Sequence, residues 1–285
     1  MSHSSISRLA LVTGAGSGLG RAFALELTRL GGWHVVIADI NRASADETLE
    51  LVQVAGGTGQ VELLDVRHPE AWEQLRTKLR SEHPALHLLI NNAGVVASGR
   101  IDALPLADFD WAYNINSRGV IIGCQSMIPW LAENHGNGGE AYILNVASIC
   151  GFLSPPGLAA YNASKAAVIS ISETLACELK GSNIGVTVLC PWFFKTQLLE
   201  SGRFTKQNLK AQGDQLMHTS PLNAGRVAKE ALRATFRKRL HHVMGPWARI
   251  MWRFKRMAPA LFHWIQEIAV KRSEARHEAA AGKTP

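Results

Sequence analysis

Six short apolar runs alternate with longer segments of helical periodicity, and this alternation constrains the fold more than any other feature of the sequence. The runs occupy residues 9–13, 33–39, 60–64, 86–91, 142–146 and 184–190. Each run is continuously apolar, as expected for strands of a parallel sheet that is covered by helices on both faces. With a short seventh strand at residues 241–244, the order predicts an α/β fold with a doubly wound parallel sheet of about seven strands.

The segments of helical periodicity divide the chain into a domain and an extension. Helices are predicted at residues 19–30, 43–54, 69–80, 107–130 and 223–240. Residues 1–245 are expected to form one domain, in which residues 192–222 lack a strong period and form a lid over the carboxyl edge of the sheet. Residues 246–285 are expected to form a helical extension that ends in a polar tail.

The formal net charge of +7 is concentrated in one stretch of the chain. Residues 237–256 contain seven Lys or Arg residues and no Asp or Glu, so the charges of the remaining sequence sum to zero. Nucleic-acid binding requires a basic face on a recognised module, and a basic balance confined to one segment does not indicate it. No nucleic-acid partner is therefore predicted.

The spacing of cysteine and histidine residues argues against a metal site. Cys124, Cys150, Cys177 and Cys190 lie far apart, and the eleven histidines show no ligand spacing. The polar residues 1–8 are not followed by an apolar segment of signal-peptide type, and no run approaches the roughly 18 apolar residues of a spanning helix. The sequence predicts a cytoplasmic protein with reduced cysteines and no metal.

The first predicted strand leads directly into the first predicted helix through a glycine-rich turn, Thr13-Gly14-Ala15-Gly16-Ser17-Gly18-Leu19-Gly20. Glycines let backbone N–H groups approach a pyrophosphate, and the helix N-terminus adds unpaired donors and a positive dipole. The position between a strand and a helix favours a dinucleotide-binding site over an ordinary loop. The cofactor contacts expected here are Gly14, Ser17, Gly18, Leu19 and Gly20.

Asp39 ends the second predicted strand, nineteen residues beyond Gly20. An acid about 20 residues after such a turn binds the ribose hydroxyls of NAD, and its carboxylate repels the 2′-phosphate of NADP. NAD is therefore the predicted cofactor. Arg42 keeps NADP open, because a guanidinium beside Asp39 can neutralise the carboxylate and bind a phosphate.

Tyr161 and Lys165 stand four residues apart, which places them on the same face of a helix. The pKa of an isolated tyrosine is about 10, and a neighbouring ammonium stabilises the phenolate and lowers that pKa. Ser148 follows the strand at residues 142–146, so it lies at the carboxyl edge of the sheet, where ligands bind in open α/β folds. The three side chains together predict a proton-transfer site.

These motifs resemble those of the short-chain dehydrogenase/reductase family. The resemblance covers about residues 8–245 and consists of the T-G-x-x-x-G-x-G turn, N-N-A-G at residues 91–94, Ser148 thirteen residues before Tyr161, and Y-x-x-x-K at residues 161–165. It implies a Rossmann-type fold with Tyr161 as acid/base and Ser148 hydrogen-bonded to the substrate oxygen. Lys165 is implied to bind the nicotinamide ribose and to lower the pKa of Tyr161. Asn116, in preference to Asn114, is implied to hold a water that links Lys165 to solvent.

The resemblance implies further cofactor contacts and an assembly. Asp65 and Val66 are expected at the adenine, Thr196 is expected at the carboxamide, and other expected contacts are Asn91, Asn92, Ala93, Gly94 and Pro191. The sequence departs from the family pattern after Pro191, where Trp192 replaces the usual glycine and predicts a reshaped loop. A homodimer or homotetramer is expected, built partly from the helices at residues 107–130 and 159–179.

Apolar residues that follow the motifs predict the substrate class. They are Val95, Val96, Phe152, Leu153, Pro155 and Leu158, with Trp192, Phe193 and Phe194 in the lid. Apolar linings bury hydrocarbon, so we expect an NAD(H)-dependent oxidoreductase that interconverts a lipophilic secondary alcohol and its ketone. An NADPH-dependent carbonyl or 3-oxoacyl reductase is one alternative. A non-catalytic dinucleotide-binding sensor or scaffold is an alternative of another class.

Residues 246–272 carry apolar side chains at three- and four-residue spacing beside a stripe formed by Arg249, Arg253 and Arg256. This pattern predicts an amphipathic basic helix that is broken near Pro259. Two roles remain open at this point. The helix either contacts a membrane surface peripherally, or packs its apolar stripe against the domain or a second subunit.

Overall fold

The computed structural model describes residues 8–133 and 139–281. Its strands are β1 (Arg8–Thr13), β2 (Trp33–Asp39), β3 (Thr58–Leu63), β4 (Leu88–Asn91), β5 (Ala97–Ser98), β6 (Ala141–Val146), β7 (Ile184–Pro191), β8 (Arg203–Phe204) and β9 (His241–Met244). Seven of them form one parallel sheet in the order β3-β2-β1-β4-β6-β7-β9, and β5 pairs with β8 separately. The prediction of a doubly wound parallel sheet of about seven strands is confirmed.

Helices cover both faces of this sheet. They are α1 (Gly18–Leu30), α2 (Arg42–Val54), α3 (Pro69–Glu82), α4 (Leu106–Tyr113), α5 (Gly119–Glu133), α6 (Cys150–Leu153), α7 (Ala159–Glu178), α8 (Gln207–His218), α9 (Ala224–Phe236), α10 (Pro246–Met257) and α11 (Pro259–Ala281). Successive strand residues face opposite layers: Leu11 and Leu89 pack with α3, α5 and α7, whereas Val12 and Ile90 pack with α1, α2 and α9. Strands buried on both faces explain the continuous apolar runs.

The order of the strands places a crevice at the carboxyl edge of the sheet. The chain winds outward from β1 to β3 and then crosses to β4, which pairs with the other side of β1. The connections leaving β1 and β4 therefore run to opposite sides. In open α/β folds this switch point opens the crevice in which ligands bind.

The predicted helix at residues 107–130 is interrupted in the structure. A π-helical segment, Asn114–Arg118, separates α4 from α5. In a π-helical turn the backbone hydrogen bonds join residues five apart, instead of four apart as in an α-helix. This turn contains Asn116, which is fully buried and hydrogen-bonded to the loop after β4. The tertiary bonds of this side chain fit the local departure from α-helical geometry.

The predicted lid at residues 192–222 has regular structure of its own. It contains a 3₁₀ turn at Gln197–Leu199, strand β8 and helix α8. Phe194 and Leu199 are buried, so the segment is packed onto the domain at these two side chains. The weak sequence period therefore reflects short elements that alternate, and not an irregular loop.

The C-terminal extension forms two helices, and the predicted break near Pro259 is present between α10 and α11. Both helices contact α6: from α10 the ammonium of Lys255 donates to the carbonyl of Phe152 over 2.7 Å, and from α11 the side-chain amide of Gln266 donates to the carbonyl of Leu153 over 3.2 Å. The rings of Phe152 and Trp252 lie 5.0 Å apart. Phe262 is buried. Part of the apolar stripe thus packs against the domain. No helix within residues 8–133 and 139–281 is long and apolar enough to span a membrane.

Candidate active site

A cavity of about 770 Å³ lies at the carboxyl edge of the sheet, over the switch point. Its wall contains most of the predicted site residues, namely Gly14, Ser17, Gly18, Leu19, Asp39, Asp65, Val66, Asn92, Ala93, Gly94, Ser148, Tyr161, Lys165, Pro191 and Thr196. The motifs that lie far apart in the sequence therefore meet at one site.

The glycine turn and the start of α1 form one end of this cavity. Gly14 and Gly18 have φ angles of 62° and 51°, a left-handed conformation that favours glycine. The first N–H groups of a helix have no intrahelical partner, and the Ser17 side chain does not cap them. Donors are thus left at the cavity for a ligand.

Gly20 was predicted to contact the cofactor, but the structure does not place it in the cavity wall. A Cβ atom at this position would lie 2.1 Å from the carbonyl oxygen of Gly14. Gly20 therefore allows α1 to pack closely against the glycine turn, and it lies behind the cavity wall.

Asp39 lies at the end of β2 and is held by the backbone. Its Oδ2 atom accepts a hydrogen bond of 2.8 Å from the N–H of Gly16, and its Oδ1 atom accepts one of 2.9 Å from the N–H of Asn41. Arg42 points its guanidinium at Asp46, with Nε 2.9 Å from both carboxylate oxygens, and it does not line the cavity. The charge of Asp39 is thus not neutralised by Arg42.

Arg67 is a wall residue that the sequence analysis missed. Its guanidinium donates to both carboxylate oxygens of Asp65, with Nε 2.9 Å from Oδ1 and Nη2 2.5 Å from Oδ2. This hydrogen bonding holds the pKa of Asp65 below its usual value. A spacing of two residues in a loop gives no indication of such a pair.

Ser148, Tyr161 and Lys165 meet in the middle of the cavity wall, and all three are buried. Ser148 follows β6, and its Oγ atom accepts a hydrogen bond of 3.1 Å from the N–H of Cys150. Tyr161 and Lys165 lie one turn apart on α7. The Lys165 ammonium donates to the carbonyl of Val146 over 2.8 Å and lies 5.8 Å from the centre of the Tyr161 ring.

Burial governs the protonation of Tyr161 and Lys165. It raises the pKa of Tyr161 well above the usual value, while the hydrogen bond from Ser148 opposes the shift. Burial also lowers the pKa of Lys165 to about 8. Desolvation of the phenolate dominates, so the lowering implied for Lys165 does not bring the pKa of Tyr161 below its usual value.

Asn116 lies behind the wall and fixes the loop after β4. Its Oδ1 atom accepts from the N–H of Val95 over 2.8 Å, and its Nδ2 atom donates to the carbonyl of Val95 over 2.9 Å and to Ser164 Oγ over 3.0 Å. A Cβ atom at Gly94 would lie 3.2 Å from Asn116 Oδ1 and 3.3 Å from Lys165 Nζ. Asn116 thereby holds this loop close to Lys165, and the water link remains a prediction.

Asn91 was expected along the cofactor, and the structure corrects this prediction. The residue is buried within the sheet, where its Nδ2 atom donates to Asn145 Oδ1 over 2.9 Å. Because successive strand residues point in opposite directions, Asn91 faces a helix layer. The next residue, Asn92, lines the cavity and donates to the carbonyl of Thr13 over 2.8 Å.

The substrate side of the cavity is largely apolar. The predicted wall residues present there are Val95, Val96, Pro155, Leu158, Trp192, Phe193 and Phe194, and further apolar or aromatic ones are Trp111, Ile115, Leu198, Leu199, Phe204 and Met217. Phe152 and Leu153, which were also predicted, do not line it, because α6 directs them toward the C-terminal helices. Most of the wall residues that were not predicted reach the cavity through long-range packing, which cannot be read from the sequence.

Thr196 lies at the end of the loop after Pro191, where the sequence departs from the family pattern. Its Oγ1 atom accepts from the N–H of Leu198 over 2.8 Å, and a Cβ atom at Gly18 would lie 4.0 Å from the Thr196 Cβ atom. The N–H of Trp192 donates to the carbonyl of Met244 over 3.2 Å. The loop without the usual glycine is therefore tied to β9 and still brings Thr196 to the glycine turn.

The sheet order, the glycine turn and the Ser148, Tyr161 and Lys165 group agree with the family comparison. The sequence pattern described as short chain dehydrogenase matches residues 8–207, and the chain belongs to this family. The resemblance inferred from the motifs is thus confirmed.

Individual relatives show how far the likeness extends. The chain is 36% identical to the probable oxidoreductase EphD of Mycobacterium tuberculosis over 196 residues, which are 69% of this chain and 32% of that protein, so it spans about a third of that relative. It is 31% identical over 193 residues to the 3-oxoacyl-[acyl-carrier-protein] reductase FabG of Thermotoga maritima, covering 68% of this chain and 76% of that protein. A short chain dehydrogenase/reductase of Burkholderia phymatum, crystallised in complex with NAD, has a TM-score of 0.83 and 30% identity, covering 90% of this chain and 95% of that one.

Proposed function

We propose that the protein is an NAD(H)-dependent oxidoreductase that interconverts a lipophilic secondary alcohol and its ketone. One observation carries the proposal: Ser148, Tyr161 and Lys165 share a cavity with the glycine turn and with Asp39. A proton-transfer group and a dinucleotide-binding turn in one crevice suit hydride transfer to or from a carbon that bears oxygen.

The glycine turn and the wall residues around it fit a nicotinamide dinucleotide. The uncapped N–H groups at the start of α1 suit a pyrophosphate, and the Asp39 carboxylate suits the ribose hydroxyls. Val66, beside Asp65, offers an apolar surface for adenine, and Thr196 lines the same cavity close to Gly18. The bound dinucleotide would supply the hydride acceptor or donor.

Tyr161 moves the proton. Because burial raises its pKa, the phenol is protonated near neutral pH, and this form donates to a ketone oxygen during reduction. In the oxidative direction Tyr161 accepts the hydroxyl proton, and a protonated Lys165 nearby favours the phenolate. Ser148 orients the substrate oxygen by a hydrogen bond, and the apolar wall excludes water.

The apolar wall supports the substrate class. Beyond Ser148 and Tyr161 the cavity offers mainly hydrocarbon and aromatic surface, which binds alkyl or ring substituents better than hydroxylated ones. The similarity to FabG keeps a 3-oxoacyl reductase as the alternative within the enzyme class. The NADPH version of that alternative is weakened, because Arg42 is paired with Asp46.

Two measurements test this function. NADH and NADPH are titrated into the protein, and NADH is expected to bind more tightly. Turnover of a lipophilic secondary alcohol with NAD is then compared with that of a small polar alcohol, and the lipophilic one is expected to have the higher kcat/KM. Binding of neither cofactor contradicts the proposal, and a preference for the polar alcohol contradicts the substrate class.

A second candidate function is peripheral contact with a membrane through residues 246–272. The outer face of α10 and α11 exposes Trp247, Ile250, Met257, Leu261 and Trp264, and the basic residues Arg253 and Arg256 are exposed on α10. Aromatic and apolar side chains beside cations favour an anionic lipid surface. Flotation with anionic vesicles, lost in a Trp247→Ser and Trp264→Ser double variant, is the expected result.

Assembly as a homodimer or homotetramer, through α4, α5 and α7, is also part of the proposal and rests on the family resemblance. Light scattering on the purified protein measures it directly, and a monomeric mass would contradict it. The cytoplasmic location predicted from the sequence likewise stays a proposal.

A further inference from the structure

A second, smaller cavity of about 190 Å³ lies between the domain and the C-terminal extension. Ile149 and Leu153 line it from the segment after Ser148. Met251 of α10 lines it from the other side, together with Phe262 and Ile265 of α11. Two parts of the chain that are distant in sequence therefore build this space together.

The two cavities are neighbours. Cys150, Pro155, Trp192 and Phe193 line both of them, so one layer of side chains stands between the two spaces. Cys150 also adjoins the catalytic group, because its N–H donates to Ser148 Oγ over 3.1 Å. The smaller cavity thus begins next to the position proposed for the substrate oxygen.

The wall of the smaller cavity is almost entirely hydrocarbon and aromatic. The side-chain amide of Gln266 donates to the carbonyl of Leu153 over 3.2 Å, so one of the hydrogen-bonding groups of Gln266 is already satisfied. The Cys150 thiol stays neutral, because burial raises its pKa to about 11. A space of this kind has little to offer except burial of apolar surface.

We propose that this second cavity receives the hydrocarbon chain of the substrate, so that the C-terminal extension determines chain-length preference. The inference rests on the proposed function and adds the shape of the substrate, which carries its oxygen near one end and a linear apolar chain. Phe193 and Pro155 stand where the chain passes from the main cavity. Phe193 is half-buried and packs edge-on against Trp192, with ring centres 5.5 Å apart, so this pair of rings stands between the two cavities.

The test compares kcat/KM over a series of unbranched 2-alkanols, from butanol to dodecanol, with NAD. Ile265→Trp places a larger side chain at the rim of the second cavity, at a position that is already 42% exposed. Leu261→Trp is the matched control, because Leu261 lies one turn earlier on α11, is 47% exposed and does not line the cavity. Met251→Phe fills the same space from α10.

In the wild type, kcat/KM is expected to rise with chain length. Ile265→Trp and Met251→Phe should each lower the ratio of kcat/KM for dodecanol to that for butanol by about tenfold or more, in line with the discrimination apolar pockets achieve per excluded methylene. Leu261→Trp should leave the ratio unchanged. An unchanged ratio in both filling variants overturns the inference while the proposed function stands. Absence of turnover for the whole wild-type series overturns both.

Discussion

The carboxylate of Asp39 accepts a hydrogen bond of 2.8 Å from the backbone N–H of Gly16. This bond joins the end of β2 to the glycine turn, so the carboxylate is oriented before any ligand binds. A fixed charge at this point discriminates between a ribose with two free hydroxyls and one that carries a phosphate.

Replacement of Asp39 by serine should therefore change cofactor preference. Loss of a charged hydrogen-bonding group weakens NADH binding by about ten- to a hundredfold, and removal of the negative charge strengthens NADPH binding. Fluorescence titration of both cofactors measures the change. Asp46→Ala is the control, because it frees Arg42 and leaves Asp39 in place. A switch to NADPH in Asp46→Ala alone would make Arg42 the selector instead.

The contact between Gly20 and Gly14 predicts a loss of stability on a small substitution. A Cβ atom at Gly20 would lie 2.1 Å from the Gly14 carbonyl oxygen, so Gly20→Ala must displace α1 or the turn. The free energy of unfolding should fall by about 1–3 kcal/mol, and NADH should bind more weakly. Gly225→Ala in α9 is the control, since its Cβ atom would make an ordinary contact at 3.6 Å. Equal urea midpoints for the two variants would refute the packing argument.

Asn116 is predicted to stabilise the loop after β4 through its hydrogen bonds to the Val95 backbone. Asn116→Ala removes both hydrogen bonds to the Val95 backbone and leaves buried partners unsatisfied, which should lower the free energy of unfolding by about 2–4 kcal/mol. Asn114→Ala, at a half-buried position two residues earlier, should cost less than about 1 kcal/mol. Urea denaturation of both variants gives the comparison, and similar losses would show that the bonds to Val95 are unimportant.

The lowered pKa of Lys165 predicts a pH dependence of stability. Its pKa is about 8 in the folded protein and about 10.4 in an unfolded chain, so between these values the unfolded chain binds the extra proton. The free energy of unfolding contributed by this group must then rise with pH across that window, by at most about 1.4 kcal/mol per pH unit.

Comparison of the wild type with Lys165→Met isolates this effect. The buried thiols of Cys124, Cys150 and Cys190 have raised pKa values and contribute an opposite slope above pH 9. Because the Lys165 ammonium lowers the pKa values of Cys150 and Cys190, that opposite slope is at least as large in Lys165→Met as in the wild type. The stability difference, measured in urea between pH 7 and pH 10, should shift in favour of the wild type as pH rises. A constant difference would show that Lys165 keeps an ordinary pKa.

The sheet could be predicted because its determinants are local. The inner strands β1, β4, β6 and β7 consist largely of buried apolar residues, and the spacing of Gly20 and Asp39 follows from one strand-turn-helix-strand unit. Tyr161 and Lys165 could be paired because four residues make one turn of a helix. These features require no knowledge of how distant segments pack.

The remaining features depend on tertiary contacts. The π-helical segment at Asn114–Arg118 interrupts a helix whose apolar pattern is continuous, so nothing in the periodicity marks it. The ion pair of Arg67 with Asp65 and the strand pair of β5 with β8 form in loops whose path is set by the whole domain. The second cavity requires α11 to fold back over α6, and an amphipathic pattern alone does not say what covers its apolar face.

The most direct test of the account is the turnover of Tyr161→Phe, measured together with NADH binding. The variant keeps the ring and removes only the hydroxyl, so kcat should fall by about a hundred- to ten-thousandfold, while NADH affinity stays within about threefold of the wild-type value. Tyr142→Phe is the matched control, because the Tyr142 hydroxyl donates to Glu140 over 2.6 Å and Tyr142 does not line the cavity. Unchanged turnover in Tyr161→Phe, with Tyr142→Phe also active, would contradict proton transfer by Tyr161.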